Sequence, residues 1–424
     1  MGFLLTCLSI VLAYFSPAEL VPSLAPFHIQ LAIMLMGLAA SALTLASRPA
    51  PGLQSPQYLL IFGLWVVIAA SHIVRLRFRW AADAIFTFGP LVAIYLLVHM
   101  NTFSVRRVKI IGGLVITCGV IMASQAILAY YTGFLGATLL LTPPTEPLAQ
   151  VANRVRGYGF LQDPNDFAQF LLVSISLLGL FWKKTRTVRN LLLLGPAAIV
   201  MAWATYLTFS RGGLLGLGAV LFASIYRKGR RIPAVAISVL GLAVLYAFNF
   251  TGGRQLGIDA SSAGRLISWG AGVASTLHHP LFGIGFGRYT DINDLTAHNS
   301  FVLCFTELGL VGYFFWLALL IVSFAGLTTL TQLASEKPED AEFSGMVHAC
   351  RAALLAFLVT GWFLSRTYTE TLYILLALIA SVIQLRGKAI PADLQNIMRL
   401  IPRTLMWEFA SIAAVYVAVR ARLM

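Results

Sequence analysis

Residues 299–328 read NSFVLCFTELGLVGYFFWLALLIVSFAGLT, and Glu307 is the one charged residue among them. A bilayer core about 30 Å thick is crossed by about 20 mainly apolar residues in a helix. A run this long and this apolar has lipid as its solvent. Similar runs fall near residues 3–21, 29–46, 58–74, 81–99, 109–132, 166–182, 190–208, 212–226, 232–250, 349–364, 368–385 and 405–419. Across all 424 residues the hydrophobic fraction is 59% and the charged fraction 11%. Soluble domains run near 45–50% and about 25%, so both values exclude a soluble globular chain.

The expected fold is an all-α, polytopic transmembrane helix bundle of about 12–13 spans. Residues 1–424 form a single integral membrane domain, with spans up to 132 and again over 299–424. The first run, Phe3–Phe15, lacks a basic leader and a cleavage site, and reads as a retained span. Cys7, Cys118, Cys304 and Cys350 lie in or beside apolar runs without metal-ligand spacing. Neither a disulfide framework nor a zinc site follows from them.

A net charge of +14 would suit nucleic acid, but the basic residues sit in short loops between apolar runs. Membrane topology explains that placement, and no nucleic-acid partner is expected. With a cytoplasmic N-terminus, 18 of the 30 Lys and Arg residues fall on the inner side, every lysine among them. The outer side keeps 12, all arginine. Arginine stays charged and presents a fork that matches phosphate oxygens, whereas lysine is a point charge. An arginine-only outer face therefore suits a phosphorylated ligand.

Two outer connections, 133–165 and 251–298, exceed a turn and are expected to form the site. Within the second, residues 265–278 read as a helix lying in the membrane interface. Leu266, Trp269, Gly270, Val273 and Leu277 share one face, with Arg265, Ser268 and Ser275 on polar positions.

Four outer segments carry the candidates. Arg154 and Arg156 precede a span, beside an Asp163-Pro164 pair that reads as a helix cap. Arg211 sits in the tight turn Thr208-Phe-Ser-Arg-Gly-Gly213, where an ionisable residue at the membrane boundary is costly and thus a functional candidate. Arg265 opens the interfacial segment, where helix N-terminal amides and a guanidinium together suit pyrophosphate. His298, followed by Asn299, stands where the long loop re-enters the membrane, and an imidazole there can take a proton from an attacking hydroxyl. Ser-His-Asp, HExxH and P-loop patterns are missing. The pairs Asp163/Asp166 and Asp291/Asp294 read as capping and loop solvation, so neither a metal nor a cofactor is expected.

Ser210-Arg-Gly-Gly, Gly264-Arg-Leu-Ile-Ser-Trp, Ala297-His-Asn-Ser-Phe and Thr306-Glu-Leu-Gly-Leu-Val-Gly312 resemble, in this order, the O-antigen ligase family. That family also holds O-antigen polymerases and protein O-oligosaccharyltransferases. The resemblance covers about residues 150–325. It implies the helical fold of polyprenyl-phosphate glycosyltransferases, a donor of undecaprenyl pyrophosphate carrying glycan, and a lipid A–core acceptor. The implied location is the periplasmic face of a bacterial inner membrane. Carried onto this chain, His298 takes the catalytic histidine's place, and Arg211 and Arg265 those of the essential arginines. Arg154, Arg156, Arg288 and Asn299 are further substrate-binding candidates. Only Glu19 is acidic in the first outer loop, Ser16–His28, so metal-independent transfer is expected. In-line attack at the anomeric carbon inverts it, and a monomer is expected because one bundle can hold the whole site. Polymerase, protein-glycosylating ligase and lipid-glycan transporter are the alternatives. Glu307 is about half a turn out of phase with His298 and is expected to be a buried structural partner.

Overall fold

The computed structural model describes residues 1–46, 55–141, 153–183, 185–225, 260–333, 340–386 and 397–423, with positions 235 and 239. The chain is all-α, and its longer described helices follow the apolar runs. They are α1 (Gly2–Phe15), α2 (Ile29–Ala46), α3 (Pro56–Ile73), α4 (Phe78–Asn101) and α5 (Val105–Thr132). Then come α6 (Pro164–Leu177), α7 (Thr187–Leu207), α8 (Arg211–Ile225) and α9 (Ala260–His278). The last four are α10 (Ser300–Leu333), α11 (Ala341–Gly361), α12 (Glu370–Gln384) and α13 (Ile397–Leu423). Among the described residues, nine helices are long and apolar enough to cross a membrane, and α1, α8 and α12 are shorter apolar ones. Every expected span falls on a helix except 232–250, which lies outside the described residues apart from positions 235 and 239.

The chain packs as two compact units, each assembled from separate stretches. The first takes Met1–Ser41, Leu97–Leu256 and Leu330–Thr360. Here α5 packs on α1, α6 and α7, and α6 packs on α8. Leu172, Val220 and Ala356 form a buried apolar cluster. Polar groups inside it are paired, as a buried amide must be: Gln169 Nε2 donates to Thr360 Oγ1 at 2.8 Å. Two short strands, Leu140–Leu141 and Arg154–Val155, pair antiparallel.

The second unit takes Ala42–Leu96, Gly257–Thr329 and Gly361–Met424. Its central feature corrects the sequence reading of 299–328 as one continuous span. Helix α10 breaks at Gly309, whose φ of 63° and ψ of −168° only glycine adopts freely. A break inside a membrane frees backbone groups that need partners. Residues 280–285 supply them. Ile284 and Gly285 N–H donate to the carbonyls of Thr306 and Glu307 at 3.0 and 2.9 Å, while Leu310 and Val311 N–H donate to Pro280 and Leu281 at 2.8 and 3.1 Å. The two backbones touch: a Cβ on Gly309 would lie 2.4 Å from the Leu281 carbonyl.

Three connections of this unit meet at the same end. Arg75, between α3 and α4, donates to Gly283 O at 2.6 Å. From the connection before α12, Arg366 N donates to Ser300 Oγ at 2.9 Å, and Thr367 Oγ1 donates to Ser300 O at 2.6 Å. These hydrogen bonds hold the three connections together.

Candidate active site

Helix α9 organises the end of the second unit where His298 stands. Its buried face carries Ser268, Trp269, Val273 and Thr276. This differs from the sequence reading, because Ser268 is fully buried and Leu277 is 74% exposed. Gly272 sets the approach: a Cβ there would meet Thr306 Oγ1 at 2.7 Å and Tyr289 Oη at 2.9 Å. Tight packing against α10 thus rotates the helix so that its small and hydroxyl residues turn inward.

That face holds the loop before His298. Trp269 Nε1 donates to Ala297 O at 2.9 Å, and Ser268 Oγ donates to Thr296 O at 3.0 Å. Ser365 Oγ donates to Thr296 Oγ1 at 3.1 Å from the other side. His298 itself is half-buried, with φ at 47°. Left-handed backbone is uncommon outside glycine, although histidine is among the side chains that tolerate it, and such conformations cluster at functional positions. Asn299 explains part of the geometry. Its Oδ1 accepts the N–H groups of Phe301 and Val302 at 2.9 and 3.1 Å, capping α10, while its Nδ2 is buried without a hydrogen-bond partner.

Arg265 lies on the same helix as Ser268 and Trp269 and is half-buried. The helix is described from Ala260 onward, so Arg265 stands near the start of its described part. Arg288 pairs with Asp291, its Nε 2.6 Å from Oδ2. The next residue, Tyr289, links the loop to α9 by donating its hydroxyl to Ser268 O at 2.6 Å. Burial pushes that hydroxyl up to about 12, ahead of the Ser268 bond that lowers it, so it remains a donor. The Tyr289 N–H donates to Glu307 Oε1 at 3.2 Å. Glu307 is buried, in the supporting role that its register suggested.

In the first unit, Arg211 opens α8 and is half-buried. The positive end of a helix dipole attracts anions. The preceding turn is built to hold it. Phe209 has φ at 46°, and Ser210 Oγ accepts the Gly213 N–H at 3.0 Å. Buried Arg154 donates through Nε to Thr208 O at 2.7 Å and through Nη2 to Asn165 Oδ1 at 3.1 Å. Arg156 donates to Thr138 and Ala137 carbonyls at 2.8 and 3.0 Å. Arg154 therefore ties the turn before Arg211 to the start of α6, and Arg156 ties the chain just after its strand to the 137–138 backbone. Asp163 caps α6, its Oδ1 accepting the Asn165 N–H at 2.7 Å.

Residues 196–317 match the family model described as O-antigen ligase. Over this segment, a little under a third of its length, the chain is similar to the O-antigen ligase family. No curated protein matches it. The O-antigen ligase segment contains Arg211, Arg265, Arg288, His298, Asn299 and Glu307, and leaves out Arg154 and Arg156. Sequence reasoning did not single out Arg366, Tyr289 or Ser365. A signal existed for Arg366: Ser365-Arg366, like Ser210-Arg211, is a serine-arginine pair in a short turn between helices. Tyr289 gave none, since its role depends on the fold of the 280–291 loop.

Proposed function

We propose that this membrane protein is an O-antigen ligase working at the periplasmic face of a bacterial inner membrane, with its N-terminus in the cytoplasm. It transfers glycan from undecaprenyl pyrophosphate to a sugar hydroxyl of lipid A–core, inverting the anomeric carbon. The observation that carries this reading is the double tie from Ser268 and Trp269 to the loop of His298, since Arg265 is on the same helix. One rigid element thereby sets both an anion-binding guanidinium and an imidazole.

In the reaction the acceptor oxygen attacks the anomeric carbon, and the bond from that carbon to the pyrophosphate oxygen breaks. The acceptor proton passes to His298, and undecaprenyl pyrophosphate leaves. Negative charge grows on the leaving phosphate, and the role proposed for the guanidiniums of Arg211 and Arg265 is to stabilise it. Arginines in that role support metal independence. So do the duties already held by two acidic groups, Asp163 as a cap and Asp291 as the partner of Arg288. Arg154 and Arg156 act by bracing, and a monomer suffices.

The test is transfer by purified protein in detergent with EDTA, using undecaprenyl-pyrophosphate-linked glycan and lipid A–core. Wild-type transfer, lost in His298→Ala and Arg265→Ala, supports the reading. Lengthening of the lipid-linked glycan without transfer to lipid A–core would make the protein an O-antigen polymerase. Activity retained in both variants would refute the site.

A further inference from the structure

The turn between α3 and α4 and the first residues of α4 carry three arginines, Arg75, Arg77 and Arg79, that the proposed reaction does not use. One of them, Arg77, joins Arg288 on a single indole. The Arg77 guanidinium lies 4.6 Å and that of Arg288 4.0 Å from the centre of the Trp80 ring. Arg75 is fixed beside them by its bond to Gly283 O, 2.6 Å long. His72 closes the back of the group, edge-on to Trp80 at 6.0 Å and bonded through Nε2 to Phe286 O at 3.0 Å. Its Nδ1 is buried without a hydrogen-bond partner.

Such an arrangement is costly on its own. Like charges on one ring repel, and burial followed by the Arg77 charge holds Arg75 below its ordinary value. Leu76, between the two arginines, is 78% exposed with φ at 59°, a strained conformation for a bulky side chain. Among the described residues, Asp291 is the one carboxylate bonded to the group. Arg77 has no hydrogen-bond acceptor among them, although a guanidinium carries five N–H donors in a fork suited to phosphate. Three guanidiniums facing one carboxylate leave an unmatched positive charge at the membrane boundary.

We infer that Arg77 and Arg288, gathered on Trp80, together with Arg75 beside them, bind a phosphate carried by a lipid-anchored molecule. The ligand chemistry is a phosphate ester at headgroup depth. Its source is either a phosphorylated glycolipid acceptor or an anionic phospholipid. This gives Arg288 a second role, separate from the pyrophosphate of the donor. The site rests on the proposed transfer only for naming the glycolipid.

The experiment measures binding and needs no turnover. Full-length protein in detergent is titrated with phosphorylated lipid A and with the same lipid after phosphatase treatment. Wild type is expected to prefer the phosphorylated form about tenfold, as loss of a charge-assisted bond implies. That preference disappears in Arg77→Gln, whose side chain is exposed and can be replaced without unfolding, and in the Arg75→Gln/Arg77→Gln pair. Displacement by equimolar phosphatidylglycerol assigns the site to bulk headgroups, and resistance to it assigns the site to the glycolipid. A wild type with no preference, or variants that keep it, overturns the inference. So does weakened binding of the pyrophosphate donor in the variants while lipid A binding holds. An inactive wild type that keeps the preference would sink the transfer reaction alone.

Discussion

The indole of Trp269 donates to the carbonyl oxygen of Ala297 at 2.9 Å, one residue before His298. Both partners are buried, so the bond is held in low dielectric and its loss leaves an orphaned carbonyl. Removing one partner of a buried bond costs about 1–3 kcal/mol. Trp269→Phe keeps most of the ring and deletes the donor. We expect kcat to fall about tenfold, because small displacements of a catalytic group are expensive. Donor KM should stay within about threefold. Unchanged kcat, with the variant folded by circular dichroism, would show that the loop of His298 does not depend on this bond.

Position 298 separates chemistry from backbone strain. With φ at 47°, it favours residues that tolerate left-handed backbone, and asparagine does so better than alanine. His298→Asn should therefore match wild type in thermal stability, while His298→Ala should lose about 1 kcal/mol. Both should lose transfer by about 10²–10⁴ if the imidazole takes the proton. Paired melting curves and initial rates make the comparison. An asparagine variant with substantial transfer would reduce His298 to a backbone device.

Much of this was legible in the sequence because lipid imposes a simple rule. A helix that satisfies its own backbone must be about 20 apolar residues long, so runs such as 29–46 and 109–132 announce themselves. The O-antigen ligase segment was legible too, as short motifs in a fixed order. What escaped depends on tertiary backbone pairing. Nothing in the apolar letters around Gly309 distinguishes a packing glycine from a break, since the partners at 280–285 lie in a separate loop. The inward face of α9 escaped for a related reason. Hydrophobicity put Leu277 inside, but the close approach at Gly272 turned Ser268 inward instead.

The break at Gly309 yields a severe prediction. Gly309→Ala must place a Cβ 2.4 Å from the Leu281 carbonyl in backbone that only glycine adopts readily. The combined strain is roughly 3 kcal/mol or more. Yield and melting temperature in detergent should both drop well below wild type, and transfer should fall with them. Gly283→Ala, whose Cβ would lie 2.4 Å from the Glu307 carbonyl, should behave the same way. A Gly309→Ala protein with wild-type melting temperature would mean that α10 is not broken as described.

Arg154 tests whether an arginine outside the matched segment acts through Arg211. It is buried, and its fork spans the Thr208 carbonyl and the Asn165 side chain. Lysine preserves the charge and cannot bridge two acceptors in that geometry. If Arg154 bound the donor anion as a point charge, Arg154→Lys would keep most of its activity and Arg154→Ala would not. Bracing predicts instead that both variants lose kcat about equally, roughly tenfold, with a lowered melting temperature in each. The lysine variant decides: rates near wild type would return Arg154 to the substrate. Matched losses would make the 208–211 turn the element through which it acts.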